Sequence, residues 1–220
     1  MKKQSGFTLI ELAIVLVIIG LLLGGVLKGQ ELINSAKVKN MAQDFKNVQV
    51  YIYGYQDRFK AIPGDDANVV AHITGTKATT NGTVGNGVIE GAWDSVTTTD
   101  ESYLFWQHVR LAGFASGPTD TANAAYAPTN ADGGRVGVQG VQGFTGITKD
   151  SAAAASAMNG AYVVCSKGIL GKFAKQLDIT LDDGNTDTGS MRTIDPATAG
   201  QSIATATIVD SNTYTVCLSF

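Results

Sequence analysis

From Phe7 to Leu27 the chain is apolar without interruption except for one charge, Glu11. As a helix rising about 1.5 Å per residue, this run spans about 32 Å, close to the hydrocarbon thickness of a bilayer. It is therefore long enough to hold the chain in a membrane. A carboxylate nevertheless sits five residues into it, and charge in hydrocarbon is costly enough to mark function. The simpler alternative is that Glu11 lies near the membrane end and reaches the headgroups. Lys2 and Lys3 precede the run with no acid beside them, which places that end in the cytoplasm and the remaining chain outside. A secretory signal would have a shorter apolar core and a small-residue cleavage site. This run is longer, and no Ala-x-Ala closes it.

Beyond Leu27 the polarity rises, yet apolar residues continue at Val38, Met41, Phe45, Val48, Ile52, Tyr55 and Phe59, three or four apart. That spacing is the seam of an amphipathic helix. With no proline before Pro63, the pattern predicts one helix from Thr8 to Phe59, ended by the turn 61–66 around Pro63-Gly64. Gly20, Gly24, Gly25 and Gly29 either weaken the helix locally or let another helix approach closely.

Residues 64–220 have the length of one domain with a modest core. Thr74–Thr98 reads as loop with a short strand at Val88-Ile89. Thr98 and Glu101 suit a capping box opening a helix over Asp100–Ala112, stopped by Gly113. On it, His108 reads as a hydrogen-bonded, partly buried residue, and Trp93 and Trp106 as packing residues. Gly134–Phe144 suggests a bulged strand and Ala161–Ser166 another. Ile169, Leu170, Phe173, Ala174 and Leu177 space as a short helix. Ser202–Val209 and Thr213–Leu218 flank Asp210-Ser211-Asn212 as a terminal hairpin. The class is α+β, an antiparallel sheet laid on a long N-terminal helix.

Gly6-Phe7-Thr8-Leu9-Ile10-Glu11-Leu12 resembles the processing motif of type IV pilins and type II secretion pseudopilins: a short basic leader, Gly then Phe, Glu fifth after the cut, then an apolar helix. The resemblance covers residues 1–60. It implies a leader at 1–6, cleavage by a prepilin peptidase between Gly6 and Phe7, and methylation of the new amine at Phe7. It also implies a helix over 7–60 that spans the inner membrane once at 7–27, and the pilin fold for 64–220. The partners it implies are copies of the chain and related pilins, the peptidase, an inner-membrane assembly platform and, before assembly, the membrane. The product is a periplasmic or cell-surface filament. In this setting Glu11 becomes an assembly residue, because a buried ammonium and a buried carboxylate offset one another when paired.

Cys165 and Cys217 are the only cysteines, an even count in a segment placed outside the cytoplasm, which favours a disulfide. Asp178, Asp182, Asp183, Asn185 and Asp187 form the densest set of oxygen ligands and suit Ca²⁺, although no Glu closes an EF-hand loop. The alternative is a turn whose Asp and Asn side chains cap their own backbone. No Ser/His/Asp set, phosphate loop or metalloprotease helix occurs, so the expectation is a structural protein and not an enzyme. With 16 Lys and Arg against 19 Asp and Glu, nothing points to nucleic acid. Two other readings stay open: a secretion pseudopilin, and a minor pilin that binds a surface or DNA.

Overall fold

The computed structural model describes residues 8–152, 157–198 and 200–220. Among these residues four α-helices are present: α1 (Leu9–Phe59), α2 (Val69–Ile73), α3 (Glu101–Leu111) and α4 (Gly171–Leu181). Six strands accompany them: β1 (Val136–Gly140), β2 (Ile147–Lys149), β3 (Tyr162–Leu170), β4 (Met191–Ile194), β5 (Gly200–Gln201) and β6 (Thr213–Ser219). The class is α+β, as the periodicities predict, and α1 runs unbroken through all four glycines of its first half.

The chain divides into two units, residues 1–37 and 38–220. In the first, every residue from Thr8 to Lys28 is exposed. In the second, Val38, Met41, Phe45, Val48, Ile52 and Tyr55 of the helical seam are buried. All but Tyr55 join one core with Phe105, Trp106 and Val109 of α3, Val138, Val164 and Val216 of the sheet, and Phe173 and Leu177 of α4. At the end of α1, Gly64 takes φ +93°, and a Cβ there would stand 2.4 Å from the carbonyl of Glu101. The turn therefore requires glycine.

The main sheet is antiparallel in the order β1-β3-β6-β4, with α4 in the crossover between β3 and β4. The register pairs Cys165 with Cys217 across β3 and β6. A second, two-stranded sheet pairs β2 with β5 in parallel. The expected terminal hairpin does not form. β6 is bonded to β3 on one edge and β4 on the other, so Ser202–Val209 has no edge to join. That segment instead bridges Ile194 at Ser202 and makes one 3₁₀ turn over Thr205–Thr207. Ile169 and Leu170 belong to β3 and not to the following helix. Val88-Ile89 is not a strand, although Ile89 accepts the Gly140 N–H at the edge of β1.

The first ten residues of α3 are all buried, five of them polar or charged: Glu101, Ser102, Gln107, His108 and Arg110. Long irregular loops surround it, and buried loop backbone needs partners. The polar side chains of α3 supply them. Gln107 accepts from the Thr76 N–H at 2.8 Å and donates to the Thr119 carbonyl at 3.0 Å. Arg110 donates to the carbonyls of Pro118 at 2.8 Å and Tyr126 at 2.7 Å. His108 accepts from Gly64 N–H through Nδ1 and donates to the Thr76 carbonyl through Nε2, both at 2.8 Å. It is more deeply buried than its sequence position suggests, and burial holds its pKa below the ordinary value, so it stays neutral.

Candidate assembly terminus and acidic sites

Gly6 and Phe7, the expected processing pair, lie outside the described residues. The helix they precede starts with a reciprocal cap. The Thr8 backbone N–H donates to Glu11 Oε2 at 2.8 Å, and the Thr8 hydroxyl donates to the same oxygen at 2.7 Å. The Glu11 N–H in turn reaches Thr8 Oγ1 at 3.3 Å. This is a capping box, written in the sequence as Thr-x-x-Glu just before an apolar run. Sequence reasoning located Glu11 but overlooked its local partner, although the signal was present. The carboxylate thus has two roles open to it: it caps its own helix, and it remains at an exposed end where another cation can reach it.

After this cap no ionisable side chain follows until Lys28, which pairs with Glu31 at 2.7 Å. Leu9, Leu16 and Leu21 are each at least 70% exposed. Among the described residues α1 is the one helix long and apolar enough to cross a membrane, its most apolar window having a mean hydropathy of 2.8.

Residues 1–27 match the family described as the prokaryotic N-terminal methylation motif. That motif supports a precursor of pilin or pseudopilin type. No curated protein and no solved structure matches the chain. The motif, the long apolar helix and the antiparallel sheet together support a likeness to type IV pilins and pseudopilins.

In the globular unit Cys165 and Cys217 form a disulfide between β3 and β6, both residues fully buried. They sit in a small cluster with Phe144, Ile147, Met158 and Val163.

The acidic residues of the late loop are spread over several contacts. Asp178, on α4, is fully buried, and neither of its carboxylate oxygens makes a well-formed hydrogen bond among the described residues. Burial pushes its pKa up to about 7, and Asp182 and Asp183 add to the rise against the Gly184 and Asn185 amides. Asp182 accepts from the Met191 N–H at 2.8 Å, and Asp183 from the Asn185 N–H at 2.8 Å. Asp187 accepts from the Ser151 hydroxyl. Among the described residues no three acidic, His or Cys side chains are gathered to hold a metal ion. Asp183 and Asn185 form the turn that caps its own backbone.

A second acidic site lies where the α1–α2 turn meets the start of α3. Thr98 is not the cap of α3; Asp100 holds that position, and its carboxylate ties down Thr80, Asn81 and Ser95. Glu101 is then fully buried, its Oε2 accepting from the Glu90 N–H at 2.8 Å, while its Oε1 makes no well-formed hydrogen bond among the described residues. Burial pushes its pKa up to about 7, and the neighbouring carboxylates of Asp65 and Glu90 push the same way. Asp65 is itself held by the backbone N–H groups of Gly85, Asn86 and Gly87. Sequence spacing gave no sign that residues 65 and 101 meet.

Proposed function

We propose that the chain is the structural subunit of a type IV pilus or pilus-like filament. It is cut after Gly6, N-methylated at Phe7, held in the inner membrane by residues 7–27 and assembled through the same apolar helix. The observation that carries this reading is the single carboxylate, Glu11, at the head of an otherwise apolar and fully exposed helical surface. Such a surface rests in lipid before assembly and against other helices afterwards. A carboxylate buried in that packing needs a cation, and cleavage creates one at Phe7. The glycines at 20 and 24, and at 25 and 29, are spaced for close helix approach. The Cys165–Cys217 bridge near the carboxy terminus favours a pilus over a secretion pseudopilus.

Co-expression with a prepilin peptidase tests the processing step. The mass of the mature amino terminus is expected to be that of methylated Phe7, and an uncut or unmethylated chain overturns the reading. Glu11→Ala is expected to be processed but to enter sheared filaments more than a hundredfold less, since stranding one partner of a buried pair costs about 3 kcal/mol or more. Thr8→Ala removes the hydroxyl contacts of the cap but keeps the carboxylate, and is expected to assemble. If both variants fail equally, Glu11 acts only as a cap. In the host, deletion is expected to remove surface filaments and leave protein secretion intact; the reverse result identifies a secretion pseudopilin.

A further inference from the structure

The Thr- and Gly-rich loop that precedes α3 meets β1 and the turn after it around a cavity of about 570 Å³. A volume of this size falls within the range of small-ligand sites. Trp93 forms part of the wall and is half-buried. Its packed side joins the cluster of Phe144, Cys165 and Cys217. Gly137 in β1 permits this seat: a Cβ there would stand 1.9 Å from the Trp93 carbonyl and 3.2 Å from the indole Cε3. The Trp93 backbone N–H donates to Gln139 Oε1 at 2.8 Å, and Gln139 is itself buried. The backbone that carries the indole is therefore tied to β1 and not to the loop alone.

Around it the rim is polar. Asp94, Gln142 and Thr145 line the cavity and are exposed. The carboxylate of Glu90, also in the lining, is engaged by the Thr83 N–H and the Asn86 amide. No Lys or Arg belongs to the described lining, so a phosphate or another anion finds no counter-charge there. An immobilised aromatic surface beside a carboxylate, a carboxamide and a hydroxyl matches a ligand with one apolar C–H face and a ring of hydroxyls at its edge. We propose that this cavity binds a neutral saccharide, one pyranose ring lying on Trp93 with its hydroxyls bonded to Asp94, Gln142 and Thr145. The site lies wholly within the globular unit and gives the chain a surface-recognition function separate from its role in assembly.

The test uses the full chain in micelles of a detergent without a sugar headgroup, so it is independent of filament formation. With ¹⁵N-labelled indoles the chain shows two resonances, from Trp93 and Trp106. Glucose, galactose, mannose, N-acetylglucosamine and N-acetylgalactosamine are titrated separately, with N-acetylneuraminic acid and choline as charged comparisons. At least one neutral sugar is expected to shift the Trp93 resonance saturably in the millimolar range, as befits so small a ligand, while buried Trp106 stays unmoved. Asp94→Asn and Gln142→Ala are surface changes that leave the core intact. Each is expected to weaken binding about five- to tenfold, the effect of losing one hydrogen bond. The proposal is overturned if no neutral sugar shifts Trp93, if only a charged compound does, or if both variants bind like the wild type.

Discussion

Replacing Cys165 and Cys217 together by alanine lowers the unfolding midpoint of the globular unit by about 10 °C, as read by near-ultraviolet circular dichroism on heating. The bridge closes a loop with a sequence separation of 52. In the chain-entropy account, closing such a loop removes about 4 kcal/mol of freedom from the unfolded chain. For a unit of this size each kcal/mol moves the midpoint by about 2–4 °C. The loss should not require any change in the native strands, because the two cysteines already face one another in the β3–β6 register. Reducing the wild-type disulfide should reproduce the shift, which separates the cross-link from the packing of the sulfurs in their cluster. A shift below about 3 °C would mean that strand pairing and burial hold this edge without the covalent tie.

Glu101→Gln becomes more stabilising, relative to wild type, as pH rises, by about 3 kcal/mol between about pH 5 and pH 8. The sign follows from proton binding. The folded pKa of Glu101 is raised from 4.5 to about 7, so between those values the folded state holds a proton that the unfolded state has lost. Stability from this group is complete below the unfolded pKa and is lost as pH rises through the folded one. Glutamine cannot ionise, and its amide oxygen keeps the acceptor for the Glu90 N–H. Comparing the two chains also cancels opposing groups such as His108, whose lowered pKa adds stability with rising pH over part of this range. Asp178 is raised to about 7 for the same main reason, burial, and Asp178→Asn should show the same trend. Urea melts of both chains at each pH supply the measurement. A difference that stays constant with pH would show that Glu101 is ionised throughout.

The helical seam and the membrane-length run were legible because both are local patterns. Val38 to Tyr55 repeat at helical spacing, and a helix needs only its own backbone to satisfy its hydrogen bonds. The cap at Thr8 was equally local and was there to be read. The cysteine pairing followed from there being only two of them. By contrast, the alternation at 202–209 was a true pattern with a false consequence, since whether a strand forms depends on a free edge elsewhere. The burial of Glu101 against Asp65, and of Arg110 beneath the 116–126 loop, had no sequence signature. Both depend on loops with no periodicity.

By itself, then, the sequence determined an N-terminal methylation motif, an apolar run of membrane length with one charge, an α+β class and a disulfide. Only the tertiary structure decided the strand order β1-β3-β6-β4, the burial of α3 with its polar groups, and the cavity beside Trp93. The physical reason is range. Periodicity and charge act between residues a few positions apart, whereas an edge to pair with, a carbonyl to satisfy or a wall to complete a cavity comes from anywhere in the chain.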